Sequence, residues 1–529
     1  MTFGTIRAAQ SLRAGSLFLA LTLIALFASP AAAQLQVTRA LDLPASVRNI
    51  TWTGSVTSQG DAVIGGPLAR SSFGVNGTGI KVGIISDSFN FLGGQNAGVL
   101  SGDLPGIGNP NSFATPVNIL NDEFVAGNID EGRAIAEIVH DVAPGAQILF
   151  HSAFNNPEST PGGTIATAIN NLVAAGANII IDDVFTLDTP IYQDGAAAQA
   201  VNNAFANGVA YFSSAGNNAN NAYEAVYSPY AFFNHDFDAN NSEGGSNVLE
   251  IGTIPNGGSF AAALWWDDAY ASLGGTPTTD YELGLYNITD NVVEGGSIGN
   301  QLAGDDPWEA FGFTNTSGSP KSYGLFVEFA GGVLNKQFKI EVFGTTIQDD
   351  DDTNSPTIGG HNAAVGALAV GAAPFFNPNS PESYTAHGPT TILYDSAGNA
   401  LAVPEIRNTP ALIGIDGSNT SFFFNDSIVD ADAFPNFFGT SASVPHVAAV
   451  AALVLERAAL LGQSLTPAQL YQLLINSTVD MGTPGYDFIT GHGRLDAYAA
   501  VAAVVPEPAA ATLMLTLFAA ALGLSHRRR

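Results

Sequence analysis

Two hydrophobic rhythms alternate along the first half of the chain. Ile80-Lys81-Val82-Gly83-Ile84-Ile85 reads as a buried strand, closed by Ser86-Asp87-Ser88. From Glu131 the spacing becomes helical: Ala134, Ile135, Ile138, Val139 and Val142 share one face, and Pro144-Gly145 stops the run. A strand is predicted over Gln147 to Phe150, a helix over Thr164 to Ala175 and a strand over Ala177 to Ile181. A helix over Gly195 to Asn207 and a strand over Val209 to Ser213 follow. Strands that alternate with helices predict an α/β fold, a parallel sheet covered by helices on both faces. Asp87, Asp183 and Asn217 each come just after a strand-like run. The carboxyl ends of parallel strands are where such folds gather reactive groups.

After about residue 225 the rhythm becomes a period of two. Tyr281 to Tyr286, Tyr323 to Glu328 and Phe338 to Val342 alternate, separated by clusters of Gly, Asn, Thr and Ser. Residues 226–344 are therefore expected to form an inserted β-sandwich similar to the small jelly-roll modules of many secreted peptidases. The parallel-sheet pattern resumes at Ala363 to Ala372.

Length and charge narrow the picture. A chain of 529 residues exceeds what one hydrophobic core usually covers, so two folded units with processing segments are expected. The formal net charge of −31 repels phosphate backbones and argues against nucleic acid as a partner. With no cysteine, disulfides and thiolate chemistry are excluded. At the start, Arg7 and Arg13 precede a short apolar run, Ser16 to Ala28, and Ala31-Ala32-Ala33 offers small residues for cleavage. Residues 1–33 thus read as a secretory signal, with a mature start at Gln34 and 34–70 as an N-terminal segment; an uncleaved anchor is the alternative. At the end, Val505-Pro506-Glu507-Pro508 leads into an apolar run from Ala509 to Leu524 and then Arg527-Arg528-Arg529. Residues 503–529 resemble the PEP-CTERM sorting tail of Gram-negative bacteria, a membrane stop with its basic end in the cytoplasm. That resemblance implies export and sorting machinery as partners and a place at the cell surface or in the extracellular matrix.

The densest chemistry is Gly439-Thr440-Ser441-Ala442-Ser443-Val444-Pro445-His446, a small-residue turn running into an apolar helix, Val447 to Leu455. A serine at a helix start gains from the dipole and from unpaired backbone N–H groups, which suits a nucleophile and its oxyanion. The string resembles the nucleophile segment of subtilases, parallel α/β serine peptidases that use an Asp, His and Ser triad. Gly79 to Ser88 is similar to the strand that ends in their catalytic aspartate, here Asp87. Phe212-Ser213-Ser214-Ala215-Gly216-Asn217 is similar to the strand that ends in their oxyanion asparagine, here Asn217. Gly491-His492-Gly493-Arg494-Leu495-Asp496-Ala497 resembles their closing segment. The likeness covers 71–225 and 345–502.

The chain departs from the family at the second triad member. Where subtilases carry His-Gly-Thr at a helix start, this chain reads Asp130-Glu131-Gly132-Arg133. A glutamate there resembles sedolisins, acid-active relatives with a Ser, Glu and Asp constellation. Yet the position one turn on is Ile135, not Asp, and the oxyanion residue is Asn217, not Asp. The resemblance therefore implies a sedolisin-like branch with Asp87, Glu131 and Ser441 as catalytic residues. Two close carboxyls cannot both ionise cheaply and should share a proton. Glu131 also reads as a plain helix-start acid. Asp183 is open between an extended carboxylate network, a substrate-binding acid, a calcium ligand and a solvated loop. No cofactor is required for such chemistry; calcium is compatible with the acidic surface, including Asp480 and Asp496. The function expected is a secreted, acid-active serine endopeptidase acting on protein or peptide substrates. The alternative is an inactive, peptidase-like binding protein of the surface or matrix.

Overall fold

A sheet of nine strands divides the peptidase-like part of the chain. From edge to edge it runs Asn118–Asn121, Gln147–Ser152, Lys81–Ser86, Ile179–Asp182, Ala210–Ser214, Ala367–Pro374, Leu412–Asp416, Arg494–Leu495 and Thr478–Val479. Every pairing is parallel except the last. The computed structural model describes residues 54–123, 127–154, 162–230, 234–238, 246–348 and 352–505. The signal-like start, the sorting-like tail and Asp349 to Asp351 lie outside the described residues.

Register places the chemistry. Ile85 pairs with Asp182 and Asp182 with Ser213, so Asp87, Asp183 and Asn217 leave the sheet along one edge. The central strands are buried on both faces, as their unbroken apolar runs require: Ile179–Asp182 and Ala210–Ser214 have no exposed residue. The helix Glu131–Val142 covers one face, with Ala134, Ile135, Ile138, Val139 and Val142 fully buried. Beside it runs the helix Thr440–Leu460. That helix is long and apolar enough to cross a membrane by length and composition, yet most of it is buried against the sheet as a core helix. Gly439 is its N-cap, which puts Ser441 at the second helical position.

The segment before residue 71 belongs to this same unit. The helix Gly66–Phe73 packs against the helix Ala497–Ala502, and the helix Gln59–Val63 lies against the strand Leu412–Asp416. Arg70 grips the buried Asp61 through two nitrogens at 2.8 Å each. Ser58 Oγ lies 2.6 Å from His446 Nε2.

Two antiparallel four-stranded sheets form the insertion. One runs Val292–Ser297, Thr279–Asn287, Lys321–Gly332, Leu249–Ile254; the other runs Trp308–Thr314, Ser259–Trp266, Gln337–Phe343, Ala222–Val226. Aromatic side chains fill the space between them, among them Tyr223, Phe260, Trp266, Tyr281 and Phe338. The first strand starts at Ala222, ahead of the expected boundary at 226, because it pairs with the last strand, Gln337–Phe343. The insertion thus opens five residues after Asn217, and Asn218 Nδ2 donates to Glu341 of its last strand at 2.8 Å.

Candidate active site

Asp87 emerges from the strand Lys81–Ser86 and turns onto the start of the Glu131 helix. Its carboxylate accepts the N–H of Ile129 at 2.6 Å and of Glu131 at 2.9 Å, and also that of Ser88. Burial raises its pKa above the usual 3.8, while those three N–H groups pull the other way. Asp130, the residue that turns the chain into the helix, sits at φ +60°, a conformation that Asp tolerates better than most residues. Its buried carboxylate takes the Ser88 hydroxyl, the Phe91 N–H and the Arg133 guanidinium, which fixes that corner.

Glu131 is the first residue of the helix, and its carboxyl lies among acidic neighbours. Burial, and then the charge of Asp87, push its pKa from 4.5 up to about 8; the hydrogen-bonding side chains of Ser441 and Asp183 act in the opposite sense. Asp183, the first residue past the strand Ile179–Asp182, meets the same cluster from the sheet. Burial raises its pKa well above 3.8, with Glu131 and Asp87 adding to the rise. Ser86 Oγ donates to it at 3.2 Å. Asp183 thus lies within electrostatic reach of both Glu131 and Asp87.

Ser441 stands in the first turn of its helix, 7% exposed. Gly439 precedes it at φ +117°, open to glycine and closed to most other residues. Asn217 is exposed, and its side-chain oxygen accepts the Thr440 N–H at 2.9 Å and the Thr440 hydroxyl at 3.0 Å. That fixes the amide and leaves its NH₂ group as the donor. The Ser441 N–H, at the second helical position, has no acceptor within the helix. Two such donors beside a serine are what an oxyanion site of the acyl-transfer kind requires. The structure therefore brings Asp87, Glu131, Asp183, Ser441 and Asn217 to one place.

Among the described residues no histidine hydrogen-bonds Ser441 or Asp87. His446 is buried between Ser58 and the Ala442 carbonyl, with its pKa lowered to about 4 by desolvation. His140 is buried against Phe113 in the same neutral state, at about 4. His361 lies 3.1 Å from Asp182, behind the cluster. His151 is held by the Ser152 carbonyl and Asn171.

The acids considered for calcium separate. Asp496 caps the helix Ala497–Ala502, and Asp480 accepts the Gly485 N–H. Asp426, Asp430 and Asp432 bring ligand atoms within 4.8 Å of one another on the surface, a grouping the sequence reading did not single out. The reading also passed over Asp416, at the carboxyl end of the strand Leu412–Asp416 and fully buried behind the nucleophile turn. The signal was there: Leu412-Ile413-Gly414-Ile415-Asp416 has the same strand-then-acid form as the run ending at Asp87.

The model of the subtilase family matches residues 124–493, well over half of the chain. No curated protein matches. Among solved structures, the CspB protease of Clostridium perfringens is similar at a TM-score of 0.54 and 13% identity, over 84% of this chain and 98% of that one. A lanthipeptide protease aligns at a TM-score of 0.39 and 16% identity, over 88% and 98%.

Proposed function

The chain belongs to the subtilase family, and from that premise we propose that it is a serine endopeptidase whose general base is a carboxyl, Glu131. One observation carries this reading: the half-buried Glu131 carboxyl lies within hydrogen-bonding influence of both Ser441 and Asp183, with Asp87 accepting its backbone N–H. Ser441 Oγ attacks the peptide carbonyl carbon and passes its proton to Glu131. The oxyanion is held by the Asn217 amide and the Ser441 N–H. The C–N bond then breaks as Glu131 returns that proton to the leaving amine. Water enters by the same route and releases the acyl group. Asp183 holds a second proton in contact with Glu131, and Asp87 fixes where the Glu131 helix begins. This is a sedolisin-like arrangement on a subtilase frame, with protein or peptide as substrate.

The pH dependence follows from the cluster as a unit. The first ionisation supplies one negative charge, shared through the hydrogen-bonded carboxyls, and sets the acid limb. Glu131, at about 8, marks loss of the next proton. Above it the shared proton is gone and two adjacent carboxylates repel each other, which disrupts the pair that must take up and return the serine proton, so activity falls. The expected profile on an unfolded protein substrate is a bell with its maximum below neutrality and an alkaline limb near pH 8. Labelling of Ser441 by a fluorophosphonate across the same range reads the nucleophile directly. Activity that keeps rising above pH 8 sinks the shared-proton cluster, and no labelling at any pH favours the inactive binding protein.

The ends of the chain support export, with cleavage near Gln34 and removal of the tail after about Val505 at the cell surface. Intact-mass measurement of protein released from the native surface tests this. A mass that retains Arg527 to Arg529 makes the tail an anchor instead.

A further inference from the structure

Behind the nucleophile turn lies a polar cluster that the reaction just described does not use. Asp416 Oδ2 accepts the Gly439 N–H at 2.8 Å, and the Tyr384 hydroxyl donates to the same oxygen. The Gly439 N–H is also 3.0 Å from the Tyr384 oxygen. Asp416 is wholly buried, and its other oxygen, Oδ1, has no hydrogen-bond partner. Tyr384 comes from the segment after the strand Ala367–Pro374, so two separate stretches converge on one backbone N–H. Three successive N–H groups at this turn are thereby sorted. That of Gly439 is tied to Asp416 and Tyr384, and that of Thr440 to Asn217. The third, on Ser441, is left to face the substrate.

We propose that Asp416 and Tyr384 are positioning residues: they hold the Gly439 N–H and so fix the left-handed turn that presents Ser441 and its amide to the substrate. The proposal rests on Ser441 being the nucleophile. A wholly buried acid with one orphaned oxygen is costly to keep for stability alone. Here it supplies an acceptor where glycine at φ +117° has no side chain to steady it. Burial and the nearby Glu382 raise the pKa of Asp416 well above 3.8. An asparagine keeps an acceptor oxygen at that position.

The test uses the whole exported chain and measures fluorophosphonate labelling rate per folded molecule, with kcat and KM on a peptide. A displacement on the order of 1 Å at a reacting group can cost about 10²-fold. Asp416→Ala and Tyr384→Phe are accordingly expected to slow labelling and kcat by about 10- to 100-fold with KM little changed. Asp416→Asn, which keeps the acceptor, is expected to stay within about threefold of the unchanged chain. If Asp416→Ala does not fold, Tyr384→Phe, which removes one oxygen, decides. Folded Tyr384→Phe that labels at the unchanged rate overturns the proposal, even if its thermal midpoint has dropped. An unchanged chain that never labels sinks the nucleophile reading and this proposal together.

Discussion

Conversion of Ser441 to alanine is expected to lower kcat by about 10⁴- to 10⁶-fold, with the fold intact. In the proposed mechanism this hydroxyl forms the acyl bond, and the neighbouring Ser443 cannot replace it because it donates to the Gly371 carbonyl inside the core. Ser441 is nearly buried in a helical turn whose backbone is held by Asn217 and Asp416, and alanine fits that turn without loss of a cap. Some rate above background should persist, because Asn217 and the helix N–H still favour the oxyanion of water attack. Members of such a unit do not add: Ser441→Ala combined with Glu131→Gln should be no slower than Ser441→Ala alone. A double variant slower by the product of the two single effects would show that the residues act independently. Equal thermal midpoints for Ser441→Ala and the unchanged chain confirm that the loss is chemical.

Much of this grouping is legible in the sequence, for a physical reason. Parallel strands run one way and end on one edge, so polar residues that terminate apolar runs are brought together whatever their distance in sequence. Asp87, Asp183 and Asn217 obeyed that rule. Glu131 and Ser441 were legible differently, as polar residues at the starts of helices that face the same edge. What the sequence hid was the partnership between side chains. Nothing in Asp182-Asp183 tells which acid meets Glu131; the pleat decides, turning Asp183 toward the cluster while Asp182 accepts from Ser213 and lies beside His361. The start of the insertion was misplaced by a few residues because Ala222-Tyr223-Glu224-Ala225-Val226 has too short an alternation to read alone. It becomes a strand by pairing with residues more than a hundred positions later. Asp416 is hidden for another reason: its role depends on a tyrosine from another loop.

The Glu131→Gln variant separates a catalytic carboxyl from a structural one by moving activity and stability in opposite directions. If Glu131 takes the serine proton, glutamine, which keeps the size but has no basic oxygen, lowers turnover by about 10²- to 10⁴-fold. Stability responds through proton linkage. The pKa of Glu131 is raised from 4.5 to about 8 in the folded chain. The folded state therefore binds that proton more tightly than the unfolded one. Its stabilising contribution is complete below about 4.5 and is lost as pH rises through 8. Glutamine is neutral at every pH and escapes that loss. Relative to the unchanged chain, the variant's thermal midpoint should thus shift upward from pH 5 to pH 8, while its activity stays low throughout. A helix-start acid free in solvent predicts the reverse: the variant loses about 0.3–1 kcal/mol of dipole stabilisation wherever the acid is ionised, and turnover is untouched. Full activity in Glu131→Gln would falsify the assignment and transfer the search for the base to Asp183.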